Sequence, residues 1–152
     1  MNDHDLSFDL KYGYWFNLLC ERFYSRVDFV LNFVQLVGGS GAALAVINES
    51  PKQVVVAGLA LAICAAVSLL MQPAIKSERH RVARCTYLTL DARLASEQRE
   101  GLVIALADLR REAPIGLGVL GPPAFNATLR AMGQEDGVRS LTFGQWLAQF
   151  VA

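Results

Sequence analysis

Residues 29–48 read FVLNFVQLVGGSGAALAVIN, twenty residues without a formal charge between Asp28 and Glu49. Residues 53–75 read QVVVAGLALAICAAVSLLMQPAI, twenty-three more between Lys52 and Lys76. At about 1.5 Å of rise per residue, each makes a helix of about 30 Å or slightly more, which matches the hydrocarbon thickness of a bilayer. Only Glu49, Ser50, Pro51 and Lys52 lie between the runs, so the pair predicts a tight hairpin that returns the chain to its starting side. A soluble helical bundle is the alternative, but uncharged runs beyond about 18 residues are read as membrane spans rather than buried core helices.

The fold expectation is an all-α integral membrane protein. It consists of an N-terminal cytoplasmic or interfacial helix over 1–26 and a two-helix transmembrane hairpin over 27–75, with spans at 28–48 and 53–74. A long cytoplasmic amphipathic helix over 76–112 follows, then a loop, a short helix and an amphipathic tail over 113–152. Composition agrees: 53% of residues are hydrophobic and 18% charged, where soluble domains carry about a quarter charged. Acids and bases balance at 14 each, so no global field points to nucleic acid. The first apolar run begins after Asp3, Asp5 and Asp9 and lacks a basic start or a small-residue cleavage site, unlike a signal peptide.

Lys76, Arg79, Arg81 and Arg84 cluster just after the second run, and Lys11, Arg22 and Arg26 precede the first, whereas the loop offers only Lys52. The positive-inside rule then places both termini in the cytoplasm and the loop outside. The cluster serves as a topology determinant or also attracts anionic lipid. Cys20, Cys64 and Cys85 are an odd number without paired spacing, in reducing cytoplasm or membrane, and read as inert thiols.

The stretch 8–26 carries Tyr12, Tyr14, Trp15, Phe16, Phe23 and Tyr24. Its rings either gather at headgroup depth or pack on the protein's own cytoplasmic helix. In the first run, Asp28, Asn32, Gln35 and Gly39 fall within about 60° on a helical wheel. Polar groups in hydrocarbon are expensive and face protein or water. The stripe therefore packs against a neighbouring helix or, with several copies around an axis, lines a pore. In the second run Gly58, Ala62, Ala65 and Ser68 are small residues suited to close helix packing.

After Pro73, which kinks or ends the second span, Ala83, Tyr87, Leu90, Leu94 and Leu109 recur at helical intervals along one face. They form either an intramolecular contact or the seam of an oligomeric coiled coil. The Pro- and Gly-rich stretch Pro114–Pro123 predicts a loop, Ala124–Met132 a short helix closed by Gly133, and Asp136-Gly137 a turn. The tail sets Leu141, Phe143, Trp146, Leu147 and Phe150 in amphipathic order without charge, as suits an interfacial anchor or a docking segment against another subunit. No zinc spacing, phosphate-binding loop or nucleophile motif is present in the sequence. The expectation is a non-enzyme without metal or cofactor.

Three stretches carry a resemblance. They are Tyr14-Trp15-Phe16 to Arg26, then Leu69-Leu70-Met71-Gln72-Pro73 continuing through Glu78-Arg79-His80-Arg81-Val82-Ala83 to Tyr87-Leu88-Thr89-Leu90, and finally Ala124-Phe125-Asn126 after a proline-bearing loop. Over roughly 10–132 the pattern resembles the SLATT family, the SMODS- and SLOG-associating two-transmembrane effector proteins of bacterial conflict systems. The resemblance implies a homo-oligomeric inner-membrane effector, pore-forming or membrane-disrupting, in an anti-phage system triggered by a separate cytoplasmic sensor or nucleotide-signalling protein. The other reading is a non-conducting membrane scaffold, or a prophage-encoded exclusion or holin-like membrane protein.

Overall fold

A computed structural model describes residues 3–47, 51–94 and 99–152. The expected turn at Glu49 and Ser50 and the centre of the expected 76–112 helix lie outside these residues. The described chain is all-helical: α1 (Asp3–Ile47), α2 (Pro51–Met71), α3 (Pro73–Arg93), α4 (Arg99–Glu112), α5 (Gly121–Ala131) and α6 (Phe143–Val151), with short 3-10 turns at Gly118–Leu120 and Glu135–Gly137. Two of these helices are long and apolar enough to cross a membrane. The chain divides into two compact units, residues 24–75 and residues 1–23 with 76–152, and α1 and α3 contribute residues to both.

Local chemistry accounts for the helix boundaries. Pro51 and Pro73 stand at the first positions of α2 and α3, where a missing N–H costs nothing and the ring presets φ. Between them Gln72 takes a left-handed φ of 46°, while its N–H still bonds the Ser68 carbonyl at 3.0 Å. The proline therefore ends α2 rather than bending a continuous helix. The short helix after the proline-rich loop starts earlier than the sequence suggests. Pro122 and Pro123 occupy its first turn, where proline is accepted. Gly133, at φ 72°, supplies the left-handed residue after its end. Helix α6 opens with a reciprocal capping box between Thr142 and Gln145.

In the unit 24–75, the two apolar helices run antiparallel, with Gly38 of α1 against Leu61 of α2. A Cβ on Gly38 would stand 3.0 Å from Leu61 Cδ2, so glycine permits this approach. Gln35, Gly38 and Ala42 of α1, and Val54, Ala57, Leu61, Cys64 and Ser68 of α2, are half-buried and mark the pairing face.

The unit 1–23 with 76–152 holds two cores on opposite sides of α1. Leu6, Leu10, Tyr87, Leu90, Leu102 and Leu106 form one, with Tyr14, Leu94 and Leu109 packed against it. Leu19, Cys20, Leu120, Ala124 and Ala152 form the other, flanked by Tyr12, Trp15, Phe16, Phe23 and Leu117. These contacts decide two open questions. The apolar face of Ala83, Tyr87, Leu90, Leu94 and Leu109 is consumed within one chain: α4 folds back along α3, and both cover the start of α1. Within this chain the face packs intramolecularly. The aromatic residues of 8–26 likewise pack on the protein's own helices.

Candidate functional site

The outward surface of the helix pair carries what its internal packing leaves over. Asn32 is exposed, and its amide nitrogen donates to the Asp28 carboxylate one turn earlier, at 3.0 Å. Gln35, from the same expected stripe, is half-buried on the pairing face, as is Gly39 at its margin. The stripe thus splits: Gln35 turns toward α2, and Asn32 turns away from it. Ser40 is exposed as well, its hydroxyl donating to the Leu36 carbonyl at 3.0 Å.

On α2, Gly58, Ala62 and Ala65 are exposed, and nothing stands within 4 Å of a Cβ placed on Gly58. Of the helix-packing residues Gly58, Ala62, Ala65 and Ser68, Ser68 is half-buried and the other three lie outside the intrachain pairing face. Within the chain α2 pairs through Val54, Ala57, Leu61, Cys64 and Ser68, because α1 offers its own small residue, Gly38, as the recess for a larger partner. A smooth strip of glycine and alanine is left facing outward.

The motifs after the second apolar run have structural work in the other unit. His80 is fully buried, its Nδ1 2.8 Å from Asn17 Oδ1. The Asn17 amide nitrogen donates to the Gly13 carbonyl at 2.8 Å, so its oxygen faces the imidazole and the ring proton sits on Nδ1. Burial pushes the His80 pKa below its usual 6.5; Glu21 and the backbone of Ile115 oppose that shift, and Lys76 adds to it. Four residues before Asn17, Gly13 admits the Tyr87 ring, which leaves no room for a methyl group.

The members of the basic cluster differ in their surroundings. Arg84 bonds Glu21 through Nε at 2.6 Å and lies 5.9 Å from the centre of the Tyr14 ring. Arg81 forks onto Glu78 with two contacts of 2.7 Å, which holds the exposed Glu78 carboxyl below its ordinary pKa. Arg79 is exposed and Lys76 half-buried. Further cross-helix pairs, Lys11 with Asp91 at 3.0 Å and Asp9 with Arg110 at 2.8 Å, tie α1 to α3 and α4.

Ala124-Phe125-Asn126 is structural too. Ala124 is sealed in the second core, and Phe125 meets Phe8 edge-on. Asn126 closes a two-bond ring with the backbone of Arg139, donating to its carbonyl at 2.7 Å and accepting from its N–H at 2.9 Å. Sequence alone points to His80 and Arg84 but neither to Asn17 nor to Glu21 as the partner of Arg84 on α1. A buried-face position for Asn17, between Leu10 and Leu19 in helical order, was the available signal.

Cys20 is buried, Cys64 half-buried and Cys85 exposed, all as thiols; burial pushes the Cys20 pKa to about 11, removing its nucleophilic form at neutral pH. Among the described residues, no group of three or more His, Cys, Asp or Glu is placed to hold a metal ion. Comparisons with family models, curated proteins and solved structures return no match to this chain.

Proposed function

We propose that the chain is a homo-oligomeric effector of a bacterial inner membrane, with two spans and both termini cytoplasmic, that opens or disrupts the membrane in an anti-phage conflict system when a separate sensor signals. The observation that carries this reading is the outward surface of the helix pair. Asn32 lies exposed in the first turn of an uncharged run, and the glycine and alanine strip of α2 is exposed as well. In hydrocarbon a polar amide seeks protein or water, and a smooth strip lets another backbone come close. Copies of the chain packed through Gly58 and Ala62 would meet both demands. The effector role itself rests on the resemblance to the SLATT pattern.

The test is induction in cells with a membrane-potential dye, comparing the wild type with Asn32→Leu. Gln35→Leu is the less direct change, because Gln35 lies on the intrachain face. Wild-type depolarisation that Asn32→Leu abolishes supports the reading. A wild type that never depolarises cells, even beside its neighbouring genes, removes it.

One observation favours a non-conducting scaffold instead: the Asp28–Asn32 bond already satisfies the amide within a single helix turn. A strict monomer or dimer in detergent would select the scaffold, since two copies bring only four spans to an axis.

A further inference from the structure

Helix α6 packs the wrong way round for a helix bathed in water. Its small residues point inward: Ala152, just past its end, is 4% exposed in the second core, and Ala148 packs beside it. Its bulky residues point out, with Phe143 77%, Phe150 71%, Trp146 52% and Leu147 44% exposed. The three rings form one continuous surface, Phe143 stacked on Trp146 at 6.1 Å and Trp146 on Phe150 at 5.8 Å. No charged residue interrupts residues 140–152.

A soluble protein turns the large apolar side of an amphipathic helix to its core; an outward apolar face rimmed by polar groups marks a contact with something other than water. Position in the chain indicates what that is. The core that receives α6 is built on Leu19, Cys20 and Phe23, the last residues of α1 before its apolar run. From Phe23 to Phe29, where the uncharged stretch begins, is about 9 Å of helix. Arg22 and Arg26, both exposed, flank Phe23, and arginines near the end of an apolar run favour anionic headgroups.

We infer that the Phe143–Trp146–Phe150 face of α6 beds in the interfacial layer of the same bilayer, as a foot that holds the cytoplasmic unit down. The inference rests on the membrane reading above. Aromatic rings suit this depth, since their bodies are apolar and the indole N–H keeps a polar partner. An interfacial helix sits about 5–10 Å into the headgroup and acyl boundary. That depth separates a foot from a span.

The test uses the full chain in vesicles of phosphatidylcholine and phosphatidylglycerol, with lipids brominated either near the headgroup or deep in the acyl chain. Trp15→Phe leaves Trp146 as the sole tryptophan. Should that variant unfold, the difference between the wild type and Trp146→Phe gives the same signal. A second protein, Trp15→Phe/Trp146→Phe/Phe33→Trp, reports on the first apolar run. The expected result is strong quenching of Trp146 by the shallow bromines and little by the deep ones, with the reverse order for the tryptophan at 33.

Quenching at position 33 without quenching of Trp146 overturns the foot and leaves the spans standing. Blue-shifted, unquenched Trp146 emission means that protein, such as a second copy, covers the face, and also overturns it. If position 33 is not quenched, the membrane reading falls and takes the foot with it.

Discussion

Gly13 shows how one missing methyl group sets the geometry of the cytoplasmic unit. The Tyr87 ring rests where a Cβ on Gly13 would lie, and Tyr87 is itself a core member beside Leu10 and Leu106. Gly13→Ala gains helix propensity but must displace an aromatic ring held on every side. The expected outcome is a net loss of about 1–3 kcal/mol, read as a lower melting temperature in detergent, while Gly101→Ala, in open space on α4, raises it slightly. His80 gives the second prediction at this scale. Its pKa is lowered in the fold, so below about 6.5 the unfolded chain takes up a proton that the folded chain resists. Stability contributed by neutral His80 is fully present above about pH 6.5 and is lost as pH falls through the lower, folded value. Melting curves from pH 8 to pH 5 should therefore decline on acidification, and His80→Gln should flatten the decline in that window. A wild type as stable at pH 5 as at pH 8 would contradict it.

At the scale of elements, the sequence read α2 and α6 better by composition than by face. Small residues along α2 were visible as a ladder, but which of its faces meets α1 depends on where Gly38 sits on the other helix. The tail was legible as an uncharged amphipathic stretch. That its small side packs inward could not be read, because Ala148 and Ala152 are unremarkable until Leu19 and Leu120 stand opposite. The link between α5 and the chain leading to α6 depends on Asn126, whose amide satisfies both backbone groups of Arg139. Asn126→Ala should cost about 1–3 kcal/mol through those lost bonds, and Asn126→Asp less, since one acceptor remains. Hydrogen exchange at the Arg139 amide is the direct measurement. An amide as protected in Asn126→Ala as in the wild type would show that the ring is not what orders this segment.

For the whole molecule, the decisive question is what covers the outward strip of α2. The apolar face of residues 83–109 is spent on α1 and α4, so assembly through that face would require unfolding a core. Self-association through the helix pair needs no such opening. Gly58→Leu and Ala62→Leu should reduce the mass of the detergent-solubilised complex while leaving the chain helical, because a Cβ on Gly58 meets nothing within 4 Å and Ala62 is exposed. Gly38→Leu should act differently, disrupting the α1–α2 pair itself and lowering stability. If Gly58→Leu leaves the mass unchanged, the strip is not the contact between copies.

By itself the sequence determined the two long apolar helices, placed at 28–48 and 53–74, and marked Pro73 as the point where the second is kinked or ended. Those are local properties: charge is absent over a countable length, and proline acts on its own backbone. Tertiary structure alone decided which partner each face takes. It turned Gln35 inward and Asn32 outward, gave the 83–109 face to α1 and α4, and joined His80 to Asn17 across 63 residues. Helical periodicity records that a face is apolar or small but carries no mark of what lies opposite it, and that information exists only once the helices have met.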